Sequence, residues 1–209
     1  MRLVYMGTPD IARVCLQRLH ERGFEIAAVY TKPDTPKNRG MKLAQSPVKE
    51  YALSVGLPVV QPQSFRDDAV VEELRALAPD LIVVVAYGKI LPQRVLDIPK
   101  LGCINMHASI LPELRGAGPV QWSILNHCDE TGISAMYLTA GMDEGDVIEI
   151  RKTPIEPMET SEELIARCFC HEIDHLDGHL YTEIAERMLT PEELEQMNRE
   201  AEEAAEDEE

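Results

Sequence analysis

Three polar side chains in the middle of the chain have the types and spacing that acyl-transfer chemistry uses. Asn105 and His107 stand two apart in "GCINMHA" (102–108), and on a strand residues two apart project to the same side. An amide N–H and an imidazole facing one pocket can both hydrogen-bond the oxyanion of a tetrahedral intermediate. Asp143 follows in the glycine-flanked "LTAGMDEGD" (138–146), where a carboxylate can hold His107 protonated and oriented. A plainer reading stays open. Polar residues on strands are most often hydrogen-bonded decoration, and an aspartate between glycines is most often turn chemistry.

A second stretch, "CFCHEIDHLDGHLY" (168–181), contains H-E-x-x-H. On a helix this spacing puts His171 and His175 on one face, one turn apart, where both rings can reach one ion, with Glu172 as base on a metal-bound water. A third protein ligand is needed. Cys168 and His179 lie on roughly the same face, but three ligands from one helix strain a tetrahedral ion, and Gly178 can end the helix before His179. The alternative is a helix that packs its Ile165, Phe169, Ile173 and Leu176 stripe on a sheet, with the histidines at its border.

The elements that must position these groups alternate between strand and helix. "RLVYMG" (2–7) reads as a buried strand. "PDIARVCLQRLHER" follows as a helix, with Ile11, Val14, Cys15 and Leu19 at helical spacing and Gly23 as the stop. "FEIAAVYT" (24–31), "LPVVQP" (57–62), "DLIVVVA" (80–86) and "GCINMHA" read as further strands. "VKEYALSVG" (48–56) and "DAVVEELRALAP" (68–79) read as the helices between them. "GPVQWSILN" (118–126) is helical, and "GISAMYLT" (132–139) and "DVIEIRKTPI" (146–155) alternate like strands. "KPDTPKNRGMKLAQSP" (32–47) has no periodicity and reads as a long loop. This order implies an α/β fold, Rossmann-like, with a mostly parallel sheet covered on both faces, plus a C-terminal helical segment. In such sheets ligands sit at the carboxyl ends of the strands, where the Asn105–His107 strand runs into "SILP" and a glycine-rich turn.

Composition narrows the class. A chain of 209 residues, 44% hydrophobic, can bury one real core. No apolar run approaches the ~18 residues of a membrane span, and "MRLVYMGTPD" lacks the features of a signal peptide. Five cysteines in no framework spacing suit a reduced, cytoplasmic chain. "MGTPD" supplies one glycine after the first strand, so the G-x-G-x-x-G fingerprint of dinucleotide sites is absent, and so is a P-loop. The net charge is −17. Residues 1–155 hold 18 acidic and 17 basic side chains, so the imbalance falls on 156–209, with 19 acidic and 3 basic. That break marks a boundary, and the acidic part repels nucleic acid phosphates.

In order along the chain, "MGTPDIA", "TKPDTPKNRGMKLAQSPVK", "VVVAYGKILP", "GCINMHASILPELRGAGPVQ" and "ETGISAMYLTAGMDEGD" resemble the catalytic domain of the methionyl-tRNA formyltransferase family, over residues 1 to about 164. The resemblance implies 10-formyltetrahydrofolate as co-substrate and the amine of initiator methionyl-tRNA as acceptor. It assigns the family's Asn–His–Asp set to Asn105, His107 and Asp143. It gives donor contacts to Ser109, Ile110, Leu111 and Pro112, and acceptor-end contacts to Arg39 in the 32–47 loop. Lys37 and Lys42 in the same loop suit phosphate contacts by charge. The family continues into a barrel-like second domain. An acidic segment stands in that place here, so weakened tRNA affinity is expected, and an apolar face bared by the change could drive homo-oligomerisation.

Residues 165–209 do not follow that family. "HEIDHLDG" resembles the C-terminal helix of peptide deformylase, a family in which two histidines and a cysteine bind Fe²⁺ or Zn²⁺ and the glutamate is the base. The matching positions are His171, His175 and Glu172. The "EGCLS"-type strand and the "GxGxAAxQ" segment of that family do not occur in this sequence. The chain thus divides into 1–164 and 165–209, a chimera of two families whose reactions on the formyl group are opposite. The function expected is formyl transfer. The alternatives are a metal-dependent deformylase through the H-E-I-D-H stretch and a non-catalytic chimera.

Overall fold

The first strand buries side chains on both of its faces. In β1 (Arg2–Gly7), residues 3–7 form one continuous buried or nearly buried run, the pattern of a central strand covered from both sides. Val4 and Met6 face a core shared with Tyr30, Val71, Leu74, Ile82, Val84, Val95 and Leu96. Tyr5 faces the other way, and its hydroxyl donates to Ala12 O at 2.6 Å.

The computed structural model of the chain describes residues 1–37, 42–156, 160, 161 and 164, and these belong to one compact unit. The elements run β1, α1 (Asp10–Glu21), β2 (Glu25–Tyr30), β3 (Thr35–Lys37), β4 (Lys42–Ala44), α2 (Pro47–Ser54), β5 (Val59–Val60), α3 (Asp68–Ala76), β6 (Leu81–Val85), α4 (Gln93–Leu96), β7 (Cys103–His107), α5 (Pro119–Leu125), β8 (Glu130–Tyr137) and β9 (Val147–Pro154). The main sheet has seven strands in the order β5-β2-β1-β6-β7-β8-β9. The pairings from β5 to β7 are parallel, and β8 and β9 extend the sheet antiparallel. The expected mostly parallel, Rossmann-like sheet with helices on both faces is the fold observed.

Local chemistry sets the helix ends. Ser46 caps α2 by accepting from Lys49 N, with Pro47 at the first helical position. Asp67 caps α3 by accepting from Ala69 N. That helix stops earlier than its apolar pattern runs, because Ala78 takes a left-handed φ of 47° before Pro79. Gly7 lets α1 lie close to β1. A Cβ there would stand 2.6 Å from Ala12 Cβ, 2.9 Å from Tyr5 Cε1 and 3.0 Å from Val85 O.

Three sequence expectations change. The 32–47 loop contains the hairpin β3–β4, a two-stranded sheet of its own with Lys37 opposite Lys42. Strands of three residues outside the main sheet have no core face to impose alternation, so the sequence carries no period there. The strand read over 57–62 contracts to Val59–Val60 at the sheet edge. The single turn α4 was not expected, since four residues cannot show a helical period.

Candidate active site

β2 and β6 lie on opposite sides of β1, so the chain leaves the sheet in opposite directions at the carboxyl ends of β1 and β6. This is the switch point at which α/β sheets bind ligands. A cavity of about 760 Å³ opens there. Its walls are the start of α1 (Pro9–Ile11), the end of β6 with the turn after it (84–91), the end of β7 (105–108), the start of α5 with the glycines before it (116–121) and the loop after β8 (138–143).

Asn105, His107 and Asp143 all line this cavity. Asn105 and His107 come from alternate positions of β7. His107 is buried, and its side chain is held from two sides. Nε2 lies 3.0 Å from Leu114 O. A carbonyl oxygen can only accept, so Nε2 carries the hydrogen and donates it. Nδ1 faces Asp143 Oδ2 at 3.5 Å, an ion-pair separation rather than a hydrogen bond. The same Asp143 oxygen accepts from Gly116 N at 2.8 Å. Asp143 stands at φ 51° and Leu114 at φ 54°, left-handed conformations that a surrounding structure must hold in place. With Nε2 tied to the loop, Nδ1 is the nitrogen left to serve an oxyanion when the ring is protonated, and the Asp143 carboxylate balances that charge.

The comparisons bear on this geometry. The profile of the family described as "Formyl transferase" matches residues 1–177. The chain belongs to this family. Methionyl-tRNA formyltransferase from Alkaliphilus oremlandii (strain OhILAs) is 51% identical over 164 residues, 78% of this chain and 53% of the relative. The protein of the same name from Geotalea uraniireducens (strain Rf4) is 52% identical over 164 residues, 78% of this chain and 52% of the relative. The chain thus spans about half the length of the curated relatives it matches. Among solved structures, phosphoribosylglycinamide formyltransferase from Bacillus halodurans superimposes with a TM-score of 0.72 at 21% identity, covering 88% of this chain and 95% of the other. A formyltetrahydrofolate deformylase from Pseudomonas syringae pv. tomato gives 0.70 at 21% identity, covering 92% and 64%. At such identities the structures attest the formyltransferase fold.

Not every expected site residue reaches this cavity. Ser109, Ile110, Leu111 and Pro112 are not among its lining residues. Ser109 is buried and its hydroxyl donates to Glu113 O at 2.7 Å, while Leu111 N donates to Ser134 Oγ at 3.1 Å. Polar groups occupied in this way hold their own loop. The walls that the sequence did not single out are Tyr87–Leu91 and Leu138–Met142. They are mostly apolar or backbone, and such residues carry no signal that separates a ligand wall from a core.

Charge at the rim is positive on the β6 side. The Lys89 ammonium donates to Pro62 O and to Gln63 O, and burial together with the nearby Lys32 holds its pKa below the usual lysine range. Of the residues expected to meet an acceptor phosphate, Lys37 and Lys42 fall in β3 and β4. Arg39 lies outside the described residues, as do His171, Glu172 and His175. Among the described residues no group of three or more His, Cys, Asp or Glu side chains could hold a metal ion, and no helix is long and apolar enough to cross a membrane.

Proposed function

We propose that this chain transfers a formyl group from 10-formyltetrahydrofolate to the amine of methionyl-tRNA. The observation that carries the reading is the convergence of Asn105, His107 and Asp143 on the switch-point cavity. It occurs in a chain half identical, over the matched residues, to proteins named for that reaction. The methionyl amine attacks the formyl carbon, and Asn105 and the Nδ1–H of protonated His107 hydrogen-bond the oxygen that becomes negative. Asp143 orients the imidazole and passes on the proton lost by the amine through water. The bond from the formyl carbon to the folate nitrogen then breaks, and that nitrogen takes up the proton. The folate fits against the apolar walls at 87–91 and 138–143. Ser109, Ile110, Leu111 and Pro112, in the loop after β7, are the donor contacts that the family resemblance implies. Arg39, Lys37 and Lys42 are the residues assigned to the acceptor end of the tRNA, by the resemblance and by their charge.

The remaining assignments are part of the same reading. Residues 1–164 are the transferase domain, and 165–209 are a separate segment that resembles peptide deformylase in its "HEIDHLDG" signature. There His171 and His175 are candidates for a weakly held Zn or Fe ion, with Glu172 beside them. The enzyme works in the cytoplasm, and the acidic segment lowers its affinity for tRNA. Self-association through an exposed apolar face belongs to this reading as well.

A transfer assay with and without chelator tests it. Formylation of methionyl-tRNA that persists in excess chelator supports the transferase. Deformylation of formyl-methionyl peptides on addition of Fe²⁺ or Zn²⁺, without transfer, would replace it.

A further inference from the structure

We propose that Ser134 is a positioning residue for His107, acting through the loop that carries Leu114. Ser134 lies on β8 directly opposite His107 in the β7–β8 register. It is fully buried and is not among the residues lining the cavity, so it acts without touching substrate.

Its hydroxyl reaches the loop twice. It donates to Ser109 O at 2.7 Å and accepts from Leu111 N at 3.1 Å. One hydroxyl has one hydrogen and two lone pairs, so Ser134 satisfies a backbone acceptor and a backbone donor that are two residues apart. Ser109 extends the tie by donating its own hydroxyl to Glu113 O at 2.7 Å. The next residue is Leu114, whose carbonyl meets His107 Nε2 at 3.0 Å. A short chain of hydrogen bonds therefore leaves β8 opposite His107, runs along the loop and returns to the His107 ring. Leu114 sits at φ 54°, a conformation the loop must hold against its own preference.

The consequence is chemical. While Leu114 O accepts from Nε2, the hydrogen of the neutral imidazole sits on Nε2, and Nδ1 is the nitrogen that faces Asp143. Removing the Ser134 hydroxyl leaves Ser109 O and Leu111 N without their partner in a buried place, which such groups avoid by moving. The loop shifts, Leu114 O leaves Nε2, and the ring loses its fixed tautomer and aim.

The role in catalysis rests on the proposed formyl transfer, whereas the positioning itself does not, and the test separates the two. Full-length wild-type protein, S134A, S134C and S134T are compared by ¹⁵N NMR of the imidazoles and by transfer kinetics. Cysteine keeps the volume but bonds weakly, and threonine keeps the hydroxyl. The expected result is a protected Nε2–H signal for His107 in wild type and S134T that is lost in S134A and S134C. The turnover number falls roughly 10- to 100-fold in those two with the KM for donor within about twofold, as a misplaced catalytic group would give, and threonine restores it. A folded S134A or S134C that keeps both the signal and wild-type turnover overturns the inference. If wild-type protein shows no transfer, the functional reading fails while the NMR comparison alone decides the positioning.

Discussion

Asp143 Oδ2 stands 3.5 Å from His107 Nδ1 while accepting a hydrogen bond from Gly116 N at 2.8 Å. The second contact fixes the carboxylate, so the first distance is a property of the loop rather than of a mobile side chain. An amide in the place of the carboxylate keeps the shape and loses the charge. D143N is therefore expected to lower single-turnover formyl transfer by about 10²–10⁴-fold, the usual contribution of positioned acid–base groups. Donor affinity by equilibrium binding should change by less than about twofold. Near-wild-type transfer by D143N would remove Asp143 from the mechanism.

Asn105 serves a different purpose. It projects into the cavity from β7, beside His107 on the same face, and its amide N–H has a neutral hydrogen bond to offer an oxyanion. Truncation to alanine is expected to cost about 10²–10³ in turnover, the usual loss for one oxyanion donor. Rapid-quench measurement should place the loss in the chemical step with little change in donor binding. A loss confined to KM would assign Asn105 to ground-state binding instead.

The reach of the sequence has a physical pattern. β1, β2 and β6 were legible because each is largely buried on both faces and so is written as an apolar run. The Asn105–His107 pair was legible because a strand's two-residue period is rigid. Asp143 was legible as a type and a loop, though its distance to His107 depends on Gly116, Leu114 and the left-handed turns around them, which no spacing encodes. The hairpin β3–β4 was missed because strands of three residues are too short to show a period. Ser134 was passed over because within "GISAMYLT" it is one more strand residue, and only the register places it opposite His107.

Gly7 tests the tight seat of α1. A methyl group at this position meets Ala12 Cβ at 2.6 Å and Val85 O at 3.0 Å, and a methyl fixed to the α1 backbone on one side with a strand carbonyl on the other leaves little room to yield. G7A is expected to destabilise the fold by about 1–3 kcal/mol, the range for overpacking, read as a lower midpoint in urea at unchanged m-value. Because Pro9–Ile11 form one wall of the cavity, donor affinity should weaken as well. Wild-type stability in G7A would show that α1 can slide.

The base of the hairpin is held by a small polar network, and its pH dependence can be signed. Lys49 Nζ donates to Asp34 Oδ2 at 2.6 Å and to Gln61 Oε1 at 2.8 Å. Gln61 Nε2 donates to Asp34 Oδ1 at 2.8 Å and to Lys32 O at 2.7 Å. The hydrogen bond from Lys49, then that from Gln61, hold the Asp34 carboxyl below the usual carboxylate range. A carboxylate whose pKa is lower folded than unfolded stabilises the fold above its unfolded value, about 3.9, and loses that stabilisation as pH falls through its folded value. D34N should therefore lower the thermal midpoint relative to wild type at pH 6, and the gap should close on acidification below about pH 4. Since both charges are partly exposed, with side chains 15% and 22% accessible for Lys49 and Asp34, 1 M salt should narrow the gap at pH 6. A gap that is constant from pH 6 to pH 3 would mean that the asparagine disturbs the network by shape and that the ion pair contributes nothing to stability.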